Sequence, residues 1–115
     1  MRAIADPARL DRMFFALADF HRRGMLDRLS RGPASVSELA DPLGLALPSA
    51  VKHLAVLEQG GFVASQKLGR ESTYTAQPKA LDEMEAWVAR HKTLLNAQFD
   101  RLDAYLAEQK GKATR

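Results

Sequence analysis

Cysteine is absent from the 115 residues, which excludes a disulfide framework, a thiolate zinc site, an iron–sulfur cluster and a cysteine nucleophile. Long apolar runs are absent too. Met13 to Ala18 is typical, far below the roughly 20 residues that span a bilayer. Met1-Arg2-Ala3-Ile4-Ala5-Asp6 meets an acid before any signal-like stretch forms. Glycine and proline are sparse, at 7 and 5, against 46% hydrophobic and 27% charged residues. That is globular composition, and it excludes collagen, disorder and low complexity for the bulk of the chain. The expectation is one soluble, cytoplasmic domain with no membrane partner.

The formal charge is +3, and its location matters more than its sum. Residues 1–42 net +1, residues 43–80 net +2 and residues 81–109 net −3. Lys110, Lys112 and Arg115 then supply +3, so this tail alone accounts for the excess. The basic balance by itself is therefore a poor argument for a polyanionic partner.

Leu10, Met13, Phe14 and Leu17 follow the i, i+3, i+4, i+7 spacing of an amphipathic helix, opened by Asp6-Pro7. A second helix is expected over 21–30, with Met25, Leu26 and Leu29 on one face and Gly32-Pro33 ending it. Ser35-Val36-Ser37-Glu38 reads as a capping box opening a short helix over about 36–42. A Gly44-containing turn leads to a helix over 48–59, stopped by Gly60-Gly61. The period then changes: 62–67 and 71–75 are β-prone runs around Leu68-Gly69-Arg70, a hairpin pattern. After Gln77-Pro78 a last helix of about 29 residues carries Leu81, Met84, Val88, His91, Leu95, Phe99 (or Gln98), Leu102 and Leu106 at 3/4 spacing. The fold expected is mainly α with a small β-hairpin: four helices, a hairpin and a long helix. Residues 1–109 form the domain and 110–115 a basic flexible tail.

Two short helices joined by a tight turn, with a hairpin directly after, have the order of a winged helix-turn-helix. Leu47-Pro48-Ser49-Ala50-Val51-Lys52-His53-Leu54-Ala55-Val56-Leu57-Glu58-Gln59-Gly60-Gly61-Phe62-Val63 closely resembles the recognition-helix segment of ArsR-type (ArsR/SmtB) winged-helix transcriptional regulators. Ala16-Leu17-Ala18-Asp19 with His21-Arg22-Arg23 and Leu26 is similar to that family's opening, with Phe20 where proline usually stands. Ser37-Glu38-Leu39-Ala40, Gly69-Arg70 and Tyr74 also fall where the family has them, so the resemblance covers about residues 10–108.

The resemblance implies a sequence-specific, double-stranded-DNA-binding regulator, a repressor, acting as a homodimer through its first and last helices. DNA-binding candidates are Ser49, Val51, Lys52 and His53 on the 48–59 helix, with Lys67 and Arg70 on the wing. Val51 can pack on a thymine methyl but cannot hydrogen-bond a base edge. Ser49 either reads DNA or only caps its helix. His53 either contacts DNA or packs at the helix seam. The Arg22-Arg23 pair reads as solvated rather than DNA-facing.

Independently of the resemblance, a long apolar stripe on the last helix exceeds what the other short elements can cover. Met13, Phe14, Leu17, Leu94, Leu95, Phe99 and Leu102 are the dimer-interface candidates, joined by Trp87 and Tyr105. No cofactor is expected. The family's metal layouts need a cysteine pair or an Asp-x-His with a second histidine cluster, and His91 has no partner at i+3 or i+4. No paired carboxylates, Ser/His/Asp set or phosphate-cradling glycine loop points to an enzyme. Two other readings remain: a winged helix used only to bind proteins, and a sensor with a small-molecule effector at the dimer seam.

Overall fold

The fold follows from well-formed helix starts. A computed structural model describes residues 6–113. Helix α1 covers Pro7–Leu17, with Asp6 accepting the Ala8 N–H at 3.0 Å and proline in the first turn. Helix α2 covers Phe20–Leu29, where Asp19 takes the Arg22 N–H at 3.1 Å. Helix α3, Val36–Ala40, opens on the expected capping box, Ser35 and Glu38 each bonding the other's backbone N–H. A 3-10 turn over Asp41–Leu43 and Gly44 at φ +65° lead into α4, Leu47–Gln59. The hairpin is β2, Val63–Leu68, paired antiparallel with β3, Glu71–Ala76.

The two glycines after α4 do different work. Gly61 has φ +83° and takes the left-handed position of a Schellman cap, with Phe62 N–H on Leu57 O and Gly61 N–H on Glu58 O, each at 3.0 Å. Gly60 has φ −76°. Its role is space, since a Cβ there would stand 3.0 Å from Ala16 Cβ and 3.2 Å from the Arg12 carbonyl oxygen. The backbones of α1 and α4 meet at that point.

Two features differ from the sequence expectation. Strand β1, Ala34–Ser35, pairs Ala34 with Tyr74 and Ser35 with Thr73, making a three-stranded sheet ordered β1-β3-β2. Two residues are too few for an alternating pattern to register. The last helix, α5, spans Pro78–Ala113, 36 residues and about 54 Å of rise, where about 29 were expected. It continues through Lys110 into the segment set aside as a tail, because Lys and Gln form helix without an apolar stripe. Residues 1–5 of the expected domain and 114–115 of the tail lie outside the described residues.

Met13, Met25, Leu39, Leu54, Leu57 and Phe62 are fully buried and form the centre of the core. Met13 is thus a correction to the expected dimer interface: α1 turns Met13 and Ala16 towards its own protomer's core. Leu17 likewise packs, half-buried, against that core.

Candidate nucleic-acid interface

Helix α4 is amphipathic, and its two faces are clearly divided. Ala50, Leu54 and Leu57 point into the core, while Leu47, Pro48, Ser49, Val51 and Lys52 are exposed at the leading end. Ala46 precedes the helix and supplies no side-chain cap, so Ser49 is not the N-cap residue. First-turn N–H groups without a side-chain acceptor, together with the helix dipole, suit a phosphate oxygen. Val51, 48% exposed, and Leu47, 50% exposed, make much of this edge apolar.

The wing is fastened to the same helix. Ser65 on β2 donates to Glu58 on α4 at 3.1 Å. Lys67 and Arg70 are exposed on the hairpin, away from the core. Arg70 also lines a cavity of about 300 Å³ with Ser35, Val36, Ser37, Glu71 and Ser72, between the start of α3 and the wing. Ser49, Val51, Lys52, Lys67 and Arg70 are therefore all presented outward, on α4 and on the hairpin that Ser65 ties to it.

His53 does not join them. Its ring turns to the seam with α2, where Arg22 Nη1 donates to Nδ1 at 3.3 Å. A guanidinium has only donors, so in this contact Nδ1 is the acceptor. Asp19 stands 3.8 Å from the same nitrogen and the His21 ring 5.6 Å from the His53 ring. The Asp19 carboxyl is held below its ordinary range, first by the Arg22 N–H and then by nearby positive charge. Of the two roles expected for His53, the seam contact is the one the structure displays.

Arg22 corrects a second expectation, because it is buried rather than solvated. It donates to Ala16 O at 2.8 Å and to Phe15 O at 2.9 Å, closing the end of α1. Arg23 donates to Leu17 O at 2.8 Å. Sequence reasoning missed Arg22 and the Glu58–Ser65 tie. A signal for Arg22 existed: it lies three, four and seven residues before Met25, Leu26 and Leu29, on the same buried stripe.

A helix-turn-helix domain model matches residues 17–66. The chain is 44% identical to the crystal structure of an ArsR family transcriptional regulator, RHA00566, covering 83% of this chain and 97% of that one, with a TM-score of 0.77. The chain belongs to the ArsR family. It is also 38% identical over 71 residues to the HTH-type transcriptional regulator Rv2034 of Mycobacterium tuberculosis, over 62% of this chain. The match spans 66% of the length of that curated relative. The transcriptional repressor SdpR of Bacillus subtilis is 25% identical over 79 residues, 69% of this chain and 88% of that protein. A homodimeric winged helix-turn-helix DNA-binding domain, Mb0332 from Mycobacterium bovis, is 26% identical with a TM-score of 0.61, covering 81% of this chain and 91% of that one. These are the fold and family expected from the 47–63 segment.

In this ArsR-family chain the long last helix is largely uncovered. Leu94, Leu95, Phe99, Leu102, Tyr105 and Leu106 are each about half exposed or more, and Leu81 and Val88 are 42% exposed. Phe14, 38% exposed, meets the half-buried Trp87 edge to face at 5.5 Å. Trp87 stacks on His91 at 4.0 Å, and His91 Nδ1 lies 2.9 Å from the Trp87 carbonyl oxygen. Among the described residues, no group of three or more His, Cys, Asp or Glu is arranged to hold a metal ion. Among them, too, no helix is long and apolar enough to cross a membrane.

Proposed function

We propose that this chain is a cytoplasmic transcriptional repressor, without catalytic activity, that binds operator DNA as a homodimer. The observation that carries the reading is the leading end of α4, where Leu47, Pro48, Ser49, Val51 and Lys52 are exposed, with Lys67 and Arg70 exposed on the hairpin tied to the same helix. An α-helix fits the major groove, and its first residues are the ones that meet base edges. Ser49 and Lys52 offer hydrogen bonds there, Val51 offers contact to a thymine methyl, and the wing cations hold phosphates. The uncapped α4 N-terminus supports a further phosphate contact.

The dimer is supported by the uncovered stripe on α5, since a helix exposing eight large apolar side chains over residues 81–106 needs a partner surface. Phe14, Leu94, Leu95, Phe99 and Leu102 line it, with Trp87 and Tyr105. A twofold pairing through α1 and α5 brings two copies of α4 to one face, to read half-sites one helical turn apart. The homodimeric mycobacterial domain and the Bacillus repressor agree in kind with this reading. The dimer acts by occupying promoter DNA, with no metal needed.

The test is a titration of the protein onto its own upstream DNA and onto random duplex at two salt concentrations. For about 6–10 neutralised phosphates, affinity falls about 10³–10⁵-fold between 50 and 200 mM salt. Equal, salt-insensitive binding to both duplexes would overturn the proposal in favour of a protein-interaction module.

A further inference from the structure

Arg22 exposes 8% of its surface and makes three contacts that meet at one guanidinium. Nε and Nη2 take the Ala16 and Phe15 carbonyls at the end of α1, and Nη1 takes His53 on α4. The Phe15 ring lies 5.0 Å from the guanidinium carbon. A buried charge is tolerable only while its donors are satisfied, so these contacts hold together as one joint. The joint ties α1, the helix whose Phe14 reaches α5, to α4, the helix that presents Ser49, Val51 and Lys52.

Helix α4 is also fixed at Gly60, two turns beyond His53, where its backbone touches α1. The backbone contact at Gly60 sets the spacing of the two helices. Burial of Ala50, Leu54 and Leu57 fixes which face of α4 is outward, and the His53 bond, off the axis, trims its rotation about that axis. A turn of about 20° moves a side-chain tip about 5–6 Å from the axis by about 2 Å. That exceeds the range over which a hydrogen bond to a base edge survives.

We propose that Arg22 is a positioning residue for DNA reading: through His53 it trims the rotation of α4, and so how its outward side chains meet the bases, without touching DNA itself. The proposal rests on α4 being the recognition helix. It assigns His53 a part in sequence discrimination while leaving it off the DNA.

The experiment begins with duplexes selected from a random pool by the wild-type protein. Affinity for the selected duplex and a scrambled one is then read by fluorescence anisotropy, with thermal midpoint and sedimentation as controls. His53→Leu removes the acceptor, while His53→Asn places an amide oxygen close to the Nδ1 position. His53→Leu is expected to lower the selected-to-scrambled affinity ratio at least tenfold, leaving scrambled binding and dimerisation within twofold. His53→Asn is expected to recover most of that ratio. Arg22→Lys, combined with His53→Leu, is expected to add little further loss, because both break the same joint; if Arg22→Lys does not fold, the His53 pair decides. An unchanged ratio in His53→Leu overturns the proposal, as do a His53→Asn protein no better than His53→Leu and losses that multiply as independent sites do. A wild-type protein that selects no duplex overturns the recognition-helix reading itself, an outcome distinct from a selective wild type with indifferent variants.

Discussion

Arg9 on α1 and Glu83 on α5 form a two-pronged ion pair, Nε to Oε2 and Nη2 to Oε1, both at 2.8 Å. It fastens the first helix to the root of the last beside the Phe14–Trp87 contact. The Arg9 bond, with its charge, holds the Glu83 carboxyl below its ordinary range. A carboxylate depressed in the folded state stabilises at pH values above its unfolded pKa, and that stabilisation is lost as pH falls through the folded value. Glu83→Gln is therefore expected to lower stability near neutral pH and to flatten the acid side of the stability profile. Arg9 is 36% exposed, so solvent screening limits the loss to about 0.5–1 kcal/mol. Urea denaturation at pH 7 and pH 4 checks both effects. An equal loss at the two pH values would contradict the electrostatic account.

At the α1–α4 crossing, Gly60→Ala is expected to cost about 1–3 kcal/mol by overpacking. The added Cβ would press on Ala16 Cβ at 3.0 Å, the Phe62 ring at 3.1 Å and the Arg12 carbonyl at 3.2 Å. The backbone at Gly60 is ordinary for any residue, so the whole cost is steric. Thermal denaturation of Gly60→Ala beside Gly61→Ala separates the two roles. The second should cost about 1–2 kcal/mol from left-handed strain alone, since its nearest neighbour would be 3.6 Å away.

Most of the fold was legible because its elements announce themselves locally. Asp6-Pro7, the Ser35–Glu38 box and Gly60-Gly61 each fix a helix end through one side chain or one dihedral. What was not legible depends on tertiary pairing. Strand β1 exists only because β3 lies beside Ala34 and Ser35. Met13 and Phe14 are neighbours on one apolar stripe, and sequence spacing alone does not say which faces the protomer's own core. In the site, the outward edge of α4 followed from its periodicity, because Ala50, Leu54 and Leu57 had to point inward. The inward turn of His53 did not, since a histidine suits solvent, DNA and a buried seam alike. Arg22 was misread for the same reason: a charged residue on a buried stripe is expected in solvent until its acceptors are seen.

The division between Met13 and the α5 stripe gives a paired test of the dimer. Leu102→Glu places a charge in the uncovered stripe, at a side chain that is half exposed in the single protomer and outside its buried core. It is expected to shift sedimentation from dimer to monomer and to leave the thermal midpoint of the isolated protomer nearly unchanged. Met13→Ala empties a fully buried site and is expected to cost about 2–5 kcal/mol in folding. A dimer undisturbed by Leu102→Glu would move the partner surface elsewhere.

Lys52 and Arg70 separate reading from holding. Both are exposed cations, one on the leading half of α4 and one at the hairpin tip. Losing a phosphate contact weakens binding to all duplexes alike and lowers the salt slope by about 1. Losing a base contact costs about 1–3 kcal/mol on the preferred sequence and relaxes the preference at that position. Arg70→Ala is expected to show the first pattern and Lys52→Ala the second, in salt titrations on preferred and scrambled duplexes. The apolar neighbour offers a control: Val51→Ser should keep the salt slope, since no charge changes, while altering which base is favoured beside Lys52. Equal losses on all sequences from both Lys52→Ala and Arg70→Ala would mean that Lys52 holds the backbone rather than reads the groove, and the discriminating contacts would then have to lie with Leu47, Ser49 and Val51 on the same helix.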